Sequence, residues 1–209
     1  KGYKKIQSSR KDTFLADVQV VGLYQFYKNS NWASVLKSVV VLPTGPRDDP
    51  DDLTDVTSQH QTAIGATIIQ DYSFTARTGA GVNVGYHARL PDQMEKRVPM
   101  SEDDVLPDAE RKENLERDLG DTVIAGVGVH HALSDEIEIS AGWEWGHKQE
   151  DKYRGGREYN YDLLSKNTIQ DWQRGMAGVE YSTVQGFMLK KYSVPYAIGY
   201  LVAELAKKV

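Results

Sequence analysis

The 209-residue chain has no cysteine and no run of 18 apolar residues. The missing cysteines exclude disulfides, zinc-finger sites and thiol catalysis. The missing apolar runs argue against a helical membrane protein, as does a mean hydropathy of −0.54. Cationic residues are also few, with 25 Lys and Arg against 30 Asp and Glu, a formal net charge of −5. This acidic balance argues against bulk nucleic-acid binding.

The chain contains segments in which apolar and polar residues strictly alternate, most clearly at residues 136–149. Successive side chains of a strand point to opposite faces, so this strand has one apolar face and one polar face. The apolar face comprises Ile137, Ile139, Ala141, Trp143 and Trp145, and the polar face comprises Glu136, Glu138, Ser140, Gly142, Glu144 and Lys148. An apolar face ending in aromatic residues, opposite a polar face, is typical of a transmembrane β-strand.

Eight such segments are predicted, joined by short and long links in turn. The strands are predicted at 13–27, 32–43, 61–73, 78–90, 121–132, 136–149 and 168–182, with a last one within 187–205. The short links are 28–31, 74–77 and 133–135, and the long links are 44–60, 91–119 and 150–167. Outer-membrane barrels have short periplasmic turns and long extracellular loops, and their strands need about 9–11 residues to cross the membrane.

The pattern predicts an all-β fold, an antiparallel transmembrane β-barrel of which about eight strands are visible. We expect one domain over 1–209 that is part of a larger barrel. The first predicted strand begins, and the last one ends, on the side of the long loops, whereas bacterial barrels place both termini in the periplasm. At least one strand is therefore expected to be missing at each end. The alternative fold is a soluble antiparallel sheet with one solvated face.

The polar faces predict a barrel lumen of mixed charge, with cross-strand ion pairs and weak ion selectivity. The predicted lumen-lining residues are Asp17, Lys37, Asp71, His87, Arg89, Glu138, Glu144, Arg174 and Glu180. The aromatic residues predict two interfacial bands. One contains Tyr24, Phe26, Tyr27, Trp32, Tyr72 and Phe74 near the short turns, and the other contains Tyr86, Trp143, Trp145 and Trp172 near the long loops.

No candidate for catalysis or metal binding outweighs a structural interpretation. The aspartates of the first long loop could bind Ca²⁺, but they lack the spacing of an EF-hand, so a solvated loop is expected. They are Asp48, Asp49, Asp51, Asp52 and Asp55. His130 and His131 are adjacent and should face opposite sides of a strand, which leaves no shared metal site even with His147 nearby. Ser134 lies in a turn without a nucleophile motif, and Glu138 and Glu144 are roughly 20 Å apart, too far for paired-carboxylate catalysis. We therefore expect neither an enzyme nor a cofactor.

Two further patterns have structural interpretations. Residues 107–118, PDAERKENLERD, predict a short charged helix in the longest loop. The Gly-x-Gly pairs at Gly79 and Gly81, and at Gly126 and Gly128, lie within strands without a following helix, so they are not phosphate loops. We expect them to relieve crowding inside a barrel or to permit curvature.

The segment ADVQVVGLYQFYKNSNWASVLKSVVVLPTG resembles the MetA-pathway phenol-degradation transporters, outer-membrane barrels related to FadL-like channels. Asp17-Val18 matches the start of that family's first strand, and Leu42-Pro43-Thr44-Gly45 matches the end of the next. The segment MAGVEYSTVQGFMLKKYSVPYAIGYLVAEL is similar to its late strands, so that the resemblance spans most of 13–205. It implies a barrel of more than eight strands that moves small hydrophobic or aromatic solutes.

The expected function is thus an outer-membrane channel or transporter in bacteria, in contact with outer-membrane lipid and a small hydrophobic solute. The alternative is a structural barrel that anchors or scaffolds a cell-envelope assembly, with other envelope proteins or further copies of itself as partners. A third hypothesis is a soluble β-sandwich that binds ligands. An eight-stranded closure would leave an interior too narrow for transport.

Overall fold

The computed structural model describes residues 16–51, 59–182 and 197–208. Within these ranges the chain forms two antiparallel sheets, and helix is limited to a 3₁₀ turn, Ala109–Arg111, and one α-helical turn, α1, Asp162–Ser165. The strands are β1 Val18–Lys28, β2 Trp32–Leu42, β3 Ala63–Ser73, β4 Thr78–Arg89, β5 Asp92–Arg97, β6 Lys112–Asp118, β7 Thr122–Ala132, β8 Ile137–Lys148, β9 Lys152–Arg154, β10 Gln170–Ser182 and β11 Ala197–Lys208. The prediction of an all-β antiparallel fold is confirmed at this level.

The larger sheet has eight strands in the order β1-β2-β3-β4-β7-β8-β10-β11, and every neighbouring pair is antiparallel. Seven of the eight predicted strands are thereby found close to their predicted bounds. The eighth, predicted within 187–205, lies at Ala197–Lys208. Residues 13–15 of the first predicted strand and 187–196 of the last fall outside the described ranges.

The predicted helix at 107–118 is wrong. Only Ala109–Arg111 forms a 3₁₀ turn, and Lys112–Asp118 is strand β6. Leu115, Arg117 and Leu119 are buried in alternation with exposed residues, which is the periodicity of a strand. Pairing of β6 with β5 on one side and β9 on the other overrides the helical propensity of its charged residues. The second and third long links thus form a three-stranded sheet, here called the loop sheet.

The larger sheet is strongly curled. One cavity of about 620 Å³ is lined by Gln19 of β1 and by Trp172 of β10, which are six strands apart in the sheet order. In a flat sheet those two strands would be about 29 Å apart. Residues of β2, β3, β4, β7 and β8 line the same cavity, so seven strands wrap around it. We call this cavity the chamber.

The curled sheet is not closed in the described part of the chain, because β1 and β11 are its two edges and do not pair with one another. Few apolar side chains of the large sheet are buried. Apart from Val39, the buried apolar side chains of the described residues lie in or beside the loop sheet, at Met94, Val98, Leu115 and Leu119. Among the described residues, no helix is long and apolar enough to cross a membrane.

Candidate functional site

The ladder register defines an inner, concave face of the large sheet. Residues directly opposite each other in an antiparallel ladder share a face. One such row runs from Lys37 through Thr67, Gly85, Ile124 and Gly146 to Trp172. The same register places eight predicted lumen residues on this face, namely Lys37, Asp71, His87, Arg89, Glu138, Glu144, Arg174 and Glu180. Their role in lining a lumen remains a prediction.

Asp17, the ninth predicted lumen residue, lies just before β1 and lines the chamber. Its two carboxylate oxygens accept the backbone N–H groups of Gly45, at 2.9 Å, and His60, at 3.2 Å. Thr44 completes the junction, since its Oγ1 accepts the N–H of Val18 at 2.9 Å. The residues that carry the family resemblance therefore contact one another and join the start of β1 to the end of β2.

The outer, convex face is apolar and exposed. Val84 is 60% exposed and Ile68, opposite it on β3, is 50% exposed. Other large exposed hydrophobic residues on this face are Val20, Tyr24, Ile64, Tyr72, Val82, Tyr86, Val127, Val129, Ile137, Ile139, Trp143 and Val179. The face that a water-soluble sheet would bury is therefore uncovered, while the polar face is turned inward.

Aromatic side chains lie near both ends of the outer face. Near the short turns, Trp32 packs edge-on against Tyr72 at 5.7 Å between ring centroids, and Tyr72 packs against Phe74 at 5.2 Å. The Trp32 indole N–H donates to Gln70 Oε1 at 2.7 Å, which supplies its polar partner. Trp143, Trp145 and Tyr86 lie nearer the long links.

Trp172, predicted as part of the second band, is on the inner face. Its indole lies across Gly146, so close that a β-carbon added there would be 2.0 Å from the ring. Gly79, Gly81 and Gly126 have the same role, because side chains of His130, Asp71 and Asn83 lie within 2.7 Å of their added β-carbons. The prediction that these glycines relieve crowding is confirmed for them, whereas Gly128 has no contact closer than 3.4 Å.

The charges of the inner face are separated along the strands. Near the short turns, Asp71, Glu138 and Glu180 line a second cavity of about 500 Å³ together with His130. Glu144 and Arg174 form an ion pair at 2.9 Å further along. Toward the long links the face becomes basic, with Lys37, His87, Arg89 and Lys148.

The loop sheet is anchored by a residue that the sequence analysis placed in a solvated loop. Asp51 is buried, and its carboxylate accepts Arg97 Nη2 at 2.5 Å and Lys112 Nζ at 3.1 Å. These hydrogen bonds lower the pKa of Asp51 to about 2. The expectation of a solvated loop is thus wrong at Asp51, because β5 and β6 supply its cations. Asp52 and Asp55 lie outside the described residues.

Two further ion pairs lie in or beside the loop sheet, and each has a residue that also bonds to a neighbouring segment. Arg117 forms a bidentate pair with Asp92, at 2.8 and 2.7 Å, and its Nη2 also donates to the carbonyl of Gln59 at 3.0 Å. Lys148, at the end of β8, pairs with Asp151 at 2.5 Å. The Asp151 carboxylate also accepts the N–H of Gly120 at 2.7 Å, so it joins the segment after β6 to the segment after β8.

The histidines and Ser134 take structural positions. His130 is on the inner face and His131 is on the outer face, bonded to Thr78 Oγ1 at 2.8 Å, as their adjacency predicts. His147 Nδ1 lies 2.9 Å from Asp171 on the outer face. Ser134 Oγ accepts the N–H groups of Glu136 and Ile137 and so stabilises its turn. Among the described residues, no three histidine or acidic side chains are grouped as a metal site would require.

No protein-family model matches this chain, and a search of curated proteins finds no match.

Proposed function

We propose that this chain spans the bacterial outer membrane as a β-barrel and passes small solutes along its inner face. The observation that carries the proposal is the inversion of the two faces, with an exposed apolar convex face and a polar concave face. Exposing apolar surface to water is unfavourable by about 25 cal/mol per Å². Among the described residues, fourteen or more large hydrophobic side chains are exposed on this face, whereas ordinary soluble monomers rarely expose apolar patches larger than a few hundred Å². Lipid removes that penalty.

The strand lengths support the same proposal. The eight strands of the large sheet have 11–13 residues each. At about 3.3 Å per residue and a tilt near 40°, such strands span about 28–33 Å along the barrel axis, enough to cross the apolar band of about 25 Å in outer-membrane barrels. Soluble strands are usually about half as long.

The placement of polar structure at one end also supports it. The loop sheet and its ion pairs lie at the ends where the long links emerge, whereas the opposite ends of the strands are joined by turns such as Lys28 to Trp32. Barrels of this class carry their extensive loops on the extracellular side. We therefore propose that the loop sheet is outside the cell.

Resemblance to the phenol-degradation transporters is the basis for proposing a hydrophobic or aromatic solute. The described inner face adds charged groups to that proposal, since acidic side chains line the cavity near the short turns, whereas Arg89 and Lys148 line the chamber together with Asp17. No catalytic role is proposed.

A structural role in a cell-envelope assembly is the second candidate, and it is favoured by the position of β1, which is an edge strand among the described strands. All eleven residues of β1 are exposed, and an uncovered edge strand can pair with another strand. By contrast, a soluble sandwich packs apolar faces against each other, and the concave face here is polar.

Reconstitution of the full chain separates these candidates. Folded protein should migrate differently on a gel before and after boiling, and it should make lipid vesicles permeable to L-arabinose. Vesicles prepared with boiled protein are the control. Folding into lipid without permeability would favour the structural candidate. Folding in buffer without detergent or lipid would overturn both membrane proposals.

A further inference from the structure

Two cations on the inner face, Lys37 and Arg89, form no ion pair within the described part of the chain. Arg97, Arg117, Lys148 and Arg174 each form an ion pair with a carboxylate. The side chains of Lys37 and Arg89 form no hydrogen bond or ion pair with any described residue. Both side chains are half-buried, and a partly desolvated cation is stabilised by an anionic partner, so this region of the inner face is suited to an anion.

Arg89 is the more constrained of the two. It lies at the end of β4 and lines the chamber, and its Nη1 is shielded from solvent without an acceptor. Nearby carboxylates are directed elsewhere. Asp121 accepts the backbone N–H of Arg89 and the Tyr86 hydroxyl, and Asp151 is paired with Lys148.

The remaining chamber wall favours an anion with an organic body. Asp17, the acidic residue of the lining, is bonded to two backbone N–H groups. Trp172 lies flat over Gly146 and Ile124 lies beside it in the same row, so both present apolar surface next to the basic side chains. Gln61 is buried, and its Oε1 has no hydrogen-bond donor.

We propose that the chamber binds a small organic anion. Its carboxylate interacts with the Arg89 guanidinium, and its apolar or aromatic body lies against Trp172 and Ile124. The volume of about 620 Å³ is typical of small-molecule sites. Arginine is the side chain best suited to carboxylates, because its planar fork donates two parallel hydrogen bonds. This inference rests on the proposed function, since it names the class of solute for the same inner face.

The test is a binding titration on the folded full chain in detergent micelles, with benzoate and with benzamide, its neutral counterpart. Benzoate should bind at least tenfold more tightly than benzamide, because only benzoate carries a negative charge and can accept two parallel hydrogen bonds from the guanidinium. The Arg89→Gln variant should lose this difference. Arg77→Gln, the same change in the exposed turn between β3 and β4, should keep it. Equal binding of the two ligands, or unchanged preference in Arg89→Gln, would overturn the proposal.

Two further measurements separate the components of the site. Inorganic phosphate should displace benzoate only weakly. If phosphate bound as tightly as benzoate, the chamber would be a site for any small anion, and the proposed contact of an organic body with Trp172 and Ile124 would be refuted. If Arg89→Gln does not fold, Arg89→Lys keeps the charge and should bind benzoate within about tenfold of the wild type. Permeability to L-arabinose without benzoate binding would refute this inference alone, and loss of permeability with benzoate binding intact would refute the proposed transport alone.

Discussion

A lysine at Val84 tests whether the convex face lies in lipid. Val84 is the seventh of the twelve residues of β4, it is 60% exposed, and its neighbours across the ladders are Ile68 and Ala125. A lysine near the bilayer midplane of a barrel is unfavourable by about 2–4 kcal/mol. In a soluble sheet, the same change at so exposed a position should alter the free energy of unfolding by only about 0.5 kcal/mol. The two hypotheses thus differ by a measurable amount.

The assay is equilibrium unfolding by guanidinium of the full chain in lipid vesicles, followed by tryptophan fluorescence. Asn83→Lys is the matched control, because Asn83 precedes Val84 and lies on the inner face. It should cost about 1 kcal/mol or less. Ile139→Lys, on the outer face but only two residues into β8, should cost about 0–1 kcal/mol, as expected near a membrane interface. A Val84→Lys cost no larger than that of Asn83→Lys would refute the assignment of the outer face to lipid.

Three other predictions concern the links at the two ends of the strands, the charges of the inner face and the ion pairs of the loop sheet. Epitope tags in the long links should be reachable on intact cells and a tag in the Lys28-to-Trp32 turn should not; the reverse result would invert the topology. Glu138→Gln and Glu144→Gln should shift the ion selectivity of reconstituted channels only modestly toward anions, since other charges remain on the face; a large reversal would place a constriction there. Because the folded pKa of Asp51 is about 2, below its ordinary 3.8, its stabilising effect is complete above pH 4 and is lost as the pH falls toward 2. The protection of β6 amides against hydrogen exchange should therefore fall between pH 4 and pH 2 in the wild type. In Asp51→Asn this fall should be absent, because the side chain carries no charge to lose. Unchanged protection of the wild type over this range would contradict the stabilising role of the Asp51 ion pairs.

Local alternation was sufficient to predict the large sheet. Most of the strands show a clear period of two, and short turns between alternating segments leave antiparallel pairing as the simplest arrangement. The polar faces that contain Asp71, His87 and Glu138 could be predicted because polar residues recur at every second position within each of these strands. On β2 the signal is weak, since the inner face there is mostly valine and only Lys37 marks it.

Contacts between residues distant in sequence were not predictable. Asp51 is 46 residues from Arg97 and 61 residues from Lys112, so nothing local distinguishes it from the other aspartates of its loop. The segment 112–118 has helix-forming charged residues, and only its pairing with β5 and β9 makes it a strand. The alternation of Leu115, Arg117 and Leu119 was the available signal for this strand.

The inner glycines connect the curvature of the sheet to the proposed site. Side chains on the concave face of a curled sheet converge, and a glycine opposite a large residue lets that residue lie flat. Trp172 over Gly146 and the His87 ring over Gly65 are such pairs, and both large residues line the chamber. If these rings stood upright, they would fill the space beside Arg89. Gly65 and Gly146 therefore leave room for two flat rings and so keep the chamber open next to Arg89.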